Sequence, residues 1–136
     1  MSFVLDSSVA LSWCFKDEQT PEITQSLVRA KTNAIFVPAL WHIEMANVLG
    51  IALRKGRLSE AELVLAMEMF NALELHTEKS RNPISISSML RLMRAHTLTA
   101  YDATYLELAM RLDLPLATLD AEPIAASHRA GVNLFL

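Results

Sequence analysis

Residues 97–120, TLTAYDATYLELAMRLDLPLATLD, constrain this chain more than any other stretch. Asp102 falls in the first turn of a helical pattern, and Tyr105, Leu106, Ala109 and Leu112 follow it at helical spacing. Asp113 and Pro115 stop that helix, because proline has no N–H to donate and steers the preceding residue away from helical dihedrals. Leu116 to Leu119 then reads as a short buried strand with Asp120 directly behind it. The unit brings two carboxylates near each other on opposite sides of one αβ connection.

The rest of the chain repeats the alternation. Phe3-Val4-Leu5 predicts a central strand that ends at Asp6, with a short helix from Ser7. Lys16 to Gln19 is polar and reads as a loop. Thr20-Pro21-Glu22 is a helix start, with threonine as cap and proline at the first helical position. Ala34 to Val37 is a second strand closed by Pro38, and a helix from about Leu40 to Lys55 ends at Gly56. Ser59-Glu60-Ala61-Glu62 fits a capping box that opens the next helix. A short edge strand is expected between Leu73 and Lys79. Pro83 is expected to start a helix through Met89, Met93 and His96. The final helix is placed from near Pro123 to before Gly131, followed by a closing strand from Val132 to Leu136. Strands alternating with helices predict an α/β protein with a parallel sheet covered on both faces. Ligands in such sheets bind beyond the carboxyl ends of the strands, where Asp6 and Asp120 are expected.

Length and composition narrow the function classes. At 136 residues the chain reads as one domain. With 52% hydrophobic residues it can fill a substantial core. No apolar run reaches the roughly 18 residues of a membrane span. The start, MSFVLDSS, does not read as a signal peptide. Cys14 is the only cysteine, so an internal disulfide is impossible, which fits a reducing cytoplasm. A net charge of −3 argues against a general nucleic-acid coat but leaves room for an enzyme with a local basic rim.

The chemistry rests on four acids taken together. Asp6 and Asp120 terminate apolar runs, Asp102 opens a helix, and Glu44 lies among Leu40, Trp41, Val48 and Ile51 on a largely apolar helix face. Each also has a structural explanation. Asp6 and Asp120 can cap helices, Asp102 can close a capping box with Thr99, and Glu44 can pair with an arginine. If the four converge, their repulsion raises their pKa values unless a cation intervenes. Mg²⁺ or Mn²⁺ is the natural one, being hard and oxygen-seeking. His42, His76, His96 and His128 show no zinc-type spacing, and no P-loop, G-x-G-x-x-G or G-x-S-x-G is present. Ser7, Ser8 and Thr118 read first as local caps and second as supports for the acids or for a phosphate. A receiver-type phosphoaspartate protein is disfavoured, because Asp6 is not part of D-x-D and no lysine is suitably placed.

Three segments, VLDSSVALSW, VPALWHIEMANVL and LTAYDATYLELAMRLDLPLATLD, together with AASHRAGV, resemble the PIN-domain ribonucleases, and in particular the VapC-like toxins of type II toxin–antitoxin pairs. The resemblance implies a three-layer α/β/α sandwich with a central parallel sheet. It implies a Mg²⁺-dependent endoribonuclease site made of Asp6, Glu44, Asp102 and Asp120, with Mn²⁺ as a substitute and Glu122 as a further acid nearby. It also implies a homodimer, a cognate antitoxin and no direct DNA binding by this chain alone. Trp13, Phe15, Trp41 and Val48 are the residues expected to line an antitoxin groove. Lys16, Arg54, Lys55, Arg91 and Arg94 are those expected to meet RNA phosphates. The alternative is a catalytically silent PIN fold used for binding, against which the retention of all four acids argues.

Overall fold

The computed structural model describes residues 1–79 and 84–136. Its elements are β1 (Ser2–Leu5), α1 (Ser7–Ser12), α2 (Pro21–Ala30), β2 (Ala34–Val37), α3 (Ala39–Arg54), α4 (Glu60–Asn71), β3 (Glu74–Thr77), α5 (Ile86–His96), α6 (Ala100–Leu112), β4 (Leu116–Ala117) and α7 (Ala121–Ala130). The four strands form one parallel sheet in the order β3-β2-β1-β4. Helices flank this sheet in the expected α/β/α arrangement. No helix among the described residues is long and apolar enough to cross a membrane.

Local chemistry explains most boundaries. The Thr20 hydroxyl accepts the Ile23 N–H at 3.2 Å, with Pro21 at the first helical position. Ser59 and Glu62 complete a reciprocal capping box, each side chain accepting the other's backbone N–H at 3.1 Å. Gly56 ends the α3 region at φ +73°, a conformation that costs a side-chain-bearing residue. Asp113 stops α6 in the left-handed region at φ 54°, which aspartate tolerates better than most residues.

Four expectations need correction. The strand predicted over Leu116 to Leu119 is two residues shorter. Its register pairs Val4 with Leu116 and Leu5 with Ala117, and it ends where β1 ends, so Thr118 and Leu119 leave the sheet. The predicted closing strand from Val132 to Leu136 is a single parallel bridge between Leu116 and Leu134. Two backbone bonds make that bridge, Leu116 N–H to the Asn133 carbonyl and Phe135 N–H to the Leu116 carbonyl, both at 2.9 Å, and Phe135 also stacks on Phe3 with ring centroids 3.8 Å apart. The helix placed at Pro83 begins at Ile86, capped by Ser85, whose hydroxyl accepts the Ser88 N–H at 3.2 Å; Pro83 itself lies outside the described residues. Finally, Trp13 and Phe15 belong to the main core, only 5% and 2% exposed; Phe15 lines no described cavity, while Trp13 edges a surface pocket with Cys14, Lys16 and Gln19.

The topology positions the site. From β1 the chain moves outward to β2 and β3, then returns to place β4 on the other side of β1. Connections on the two sides of β1 therefore diverge, which opens a crevice at the carboxyl ends of β1 and β4. α6 packs against both strands and carries Asp102 toward that crevice.

Candidate active site

Asp6 is the first residue beyond β1 and is buried, 3% exposed. It occupies the N-cap position of α1, yet its side chain makes no capping bond. Its Oδ2 instead accepts from the Ser8 hydroxyl at 2.9 Å and from the Thr118 hydroxyl at 2.7 Å. Those hydroxyls in turn accept backbone N–H groups of the β4–α7 loop: Leu119 to Ser8 at 3.0 Å and Asp120 to Thr118 at 3.2 Å. Ser8 and Thr118 are thus a latch between the first strand and the last loop, and the reading of them as local caps is superseded.

Glu44 comes from the second turn of α3 and is half-buried. Its Oε1 accepts the Tyr105 hydroxyl proton, and the Ser7 hydroxyl lies 3.4 Å away. No ion pair among the described residues involves Glu44, so the arginine-pairing explanation fails there. Asp102 sits in the first turn of α6, where Thr99 caps the helix by accepting the Asp102 N–H at 3.2 Å. Asp120 holds the N-cap position of α7 and, like Asp6, makes no capping bond with its side chain.

The electrostatics tie these groups together. Glu44 and Asp102 are both pushed above their ordinary values, first by burial and then by the neighbouring acids; Asp6 acts on both. The Asp120 carboxyl is pushed up to about 6, by burial first and then by Asp6 and Asp102. Glu122 raises Asp102 and Asp120 a little further, which puts it at the rim. Burial and Glu44 together push the Tyr105 phenol strongly upward, so it remains a proton donor. Asp6 is therefore the centre of the set, with Glu44, Asp102 and Asp120 around it.

The donors are all oxygens, four are carboxylates, and no described cation pairs with any of them. That set fits a hard divalent cation such as Mg²⁺ or Mn²⁺. Among the described residues, no three acidic, histidine or cysteine side chains are already closed into a cage. Hydroxyls hold Asp6 and Glu44 in their present orientations. Sequence reasoning missed Tyr105, which it placed on the apolar face of α6. Its position three residues after Asp102, on the same helical face, was the available signal.

The fold and this pocket define a class first: an α/β protein with an oxygen-lined acidic crevice at the switch point of its sheet. Residues 3–128 match the PIN domain, and the chain belongs to that family. PIN domains are generally nucleases, typically metal-dependent. Among solved structures, PAE2754 from Pyrobaculum aerophilum is similar, with a TM-score of 0.64 at 21% identity over 93% of this chain and 79% of that one. The PilT N-terminus domain protein SSO1118 from Sulfolobus solfataricus P2 is similar too, with a TM-score of 0.50 at 15% identity over 99% of this chain and 86% of that one. At these identities the likeness is one of fold. No curated protein matches the sequence.

Proposed function

We propose that this chain is a metal-dependent endoribonuclease, the VapC-like toxin of a type II toxin–antitoxin pair, with Asp6, Glu44, Asp102 and Asp120 holding Mg²⁺ or Mn²⁺. The observation that carries the reading is the meeting of four acids from four separate segments around Asp6 with no described base to balance them. When bound, the cation supplies an activated water and neutralises charge at the scissile phosphate. The protein's own part is to aim the acids and hold their protons. Ser8 and Thr118 fix Asp6 through one oxygen. Lys16, Arg54, Lys55, Arg91 and Arg94 are exposed and serve as the basic rim for RNA phosphates.

The proposed partners follow the same logic. An apolar cavity of about 390 Å³ lies between α3, α4 and β3, lined by Trp41, Met45, Leu49, Leu63 and Phe70 among others. It shares α3 with Glu44, which suits an antitoxin segment that fills the groove and reaches the acids with an arginine. Two chains are proposed to form a homodimer, for which the exposed Ile86 and Leu90 of α5 offer apolar contact. The setting proposed is the cytoplasm.

Cleavage of a mixed cellular RNA pool tests this directly, with Mg²⁺, Mn²⁺ or EDTA, beside Asp6→Asn. Metal-dependent cutting that disappears in the variant is the expected result. Cutting that persists in EDTA or in Asp6→Asn would overturn it. A folded protein that neither cuts nor binds either ion would favour a PIN fold used only for binding.

A further inference from the structure

Tyr105 is fully enclosed, 2% exposed, with its ring among the buried residues of the main core. Only its hydroxyl emerges at the acid pocket. It lies three residues after Asp102 on α6, so both side chains leave the same helical face. The hydroxyl donates to Oε1 of Glu44, and the Ser7 hydroxyl approaches that same oxygen at 3.4 Å. No described hydroxyl donates to Oε2. The two oxygens of Glu44 are therefore unequal, one held by the protein and the other left open.

Glu44 needs such a hold more than the aspartates do. It has three side-chain torsions, it projects from a different helix, and Asp6 and Asp102 both repel it. A free glutamate in that position would turn outward to water. A rigid aromatic donor rooted in the core opposes that rotation, and a hydrogen bond to a charged acceptor is among the stronger kinds. Asp6 shows the same division, with Ser8 and Thr118 both on Oδ2 and only the distant Ser7 hydroxyl, at 3.4 Å, near Oδ1.

We infer that Tyr105 is a positioning residue for the metal centre: its hydroxyl anchors Glu44 through Oε1 and leaves Oε2 as the single oxygen with which Glu44 serves as a ligand. The inference rests on the metal-site reading proposed above. Tyr105 itself touches neither substrate nor metal. Its effect passes through Glu44 and is absent when Glu44 is absent.

Mn²⁺ and Mg²⁺ binding by calorimetry, without RNA, tests this on the full chain. Four proteins are compared: wild type, Tyr105→Phe, Glu44→Ala and the double variant. Tyr105→Phe keeps the ring and its packing, so its melting temperature in EDTA is expected to stay near wild type. Its metal affinity is expected to fall by about tenfold or more, the usual scale for losing a group that orients a ligand. In the Glu44→Ala background the same change is expected to matter less than about twofold. Ser7→Ala removes the other hydroxyl near Oε1 without disturbing the aromatic core. It is expected to weaken binding less, and in the same Glu44-dependent way.

Wild-type affinity in Tyr105→Phe would overturn the inference while leaving the metal site standing. So would a loss that persists undiminished without Glu44, or a Tyr105→Phe protein that melts far below wild type in EDTA with unchanged affinity. A wild type that binds neither ion would remove the metal-site reading itself, and the inference with it.

Discussion

Among the described residues, carboxylates gather at two places where an arginine balances them and at one where none does. At the surface, Arg57 reaches Asp17 at 3.2 Å and Glu18 at 2.8 Å, and Arg111 reaches Glu78 at 2.9 Å and Glu107 at 2.8 Å. Each guanidinium is stabilised in its charged form by its two acids. In the crevice, Asp6, Glu44, Asp102 and Asp120 raise one another's or their neighbours' pKa values, and only Asp6 and Glu44 have described hydroxyl partners. The same residue type is thus neutralised by arginine in the first two places and left without a described base in the crevice, where Asp6 is buried and Glu44 and Asp102 are half-buried. Folding stability alone favours the opposite arrangement, so the crevice reads as a site whose balancing charge is to come from outside.

The largest effect that can break this contrast is the loss of a central acid. Asp6→Asn or Asp102→Asn should cut metal-dependent RNA cleavage by more than about a hundredfold, since a ligand matters at least as much as the groups that orient it. Circular dichroism should show the fold intact. Next comes the cation itself. Mg²⁺ or Mn²⁺ at about a hundred times its dissociation constant should stabilise the wild type by about 2.7 kcal/mol in thermal unfolding. Asp6→Asn should lose most of that gain.

A smaller effect is expected from protons. The Asp120 carboxyl moves from 3.8 to about 6 on folding. Between those values the folded protein holds a proton that the unfolded chain has released. Unfolding therefore sheds protons, and stability in EDTA should fall as pH rises through that window. Glu44 and Asp102, also raised, push in the same direction. Melting curves in EDTA from about pH 4 to about pH 7 should show this slope, and Asp120→Asn should flatten it. The smallest effect belongs to the surface. Arg111→Ala should cost at most about 1 kcal/mol in chemical denaturation and leave the metal response unchanged. A large loss there would mean that the surface pairs, too, carry the fold.

Sequence pattern foretold the parallel sheet, and it placed the acids at strand and helix ends, because both follow short-range rules. β1, β2, α3 and α6 each announce themselves by apolar spacing and by a proline, glycine or capping residue at their ends. What it misjudged depends on distant partners. β4 is two residues long because its neighbour β1 turns away at Asp6, which residues 116–119 alone do not reveal. The tail after Val132 looks like a strand, but it makes a single bridge to Leu116 while Phe135 stacks on Phe3. Ser8 and Thr118 looked like caps because their role depends on each other across the molecule. Tyr105 looked apolar because its ring is, and only its hydroxyl belongs to the site.

The Ser8–Thr118 latch also sets an order of events during synthesis. Thr118 and Asp6, which its hydroxyl reaches, are separated by 112 positions along the chain. β1 leaves the ribosome well before β4, so it gains its second neighbour only when Leu116 and Ala117 follow. Until then Asp6 lacks one of its two close hydroxyl donors, Asp102 has no finished crevice to face, and Asp120 has not been made. Closing so long a loop adds little to its entropic cost compared with a loop of half the length, but it postpones the contact until Thr118 has been made. A nascent chain of this protein cannot assemble the full set of four acids before β4 and Asp120 have both left the ribosome.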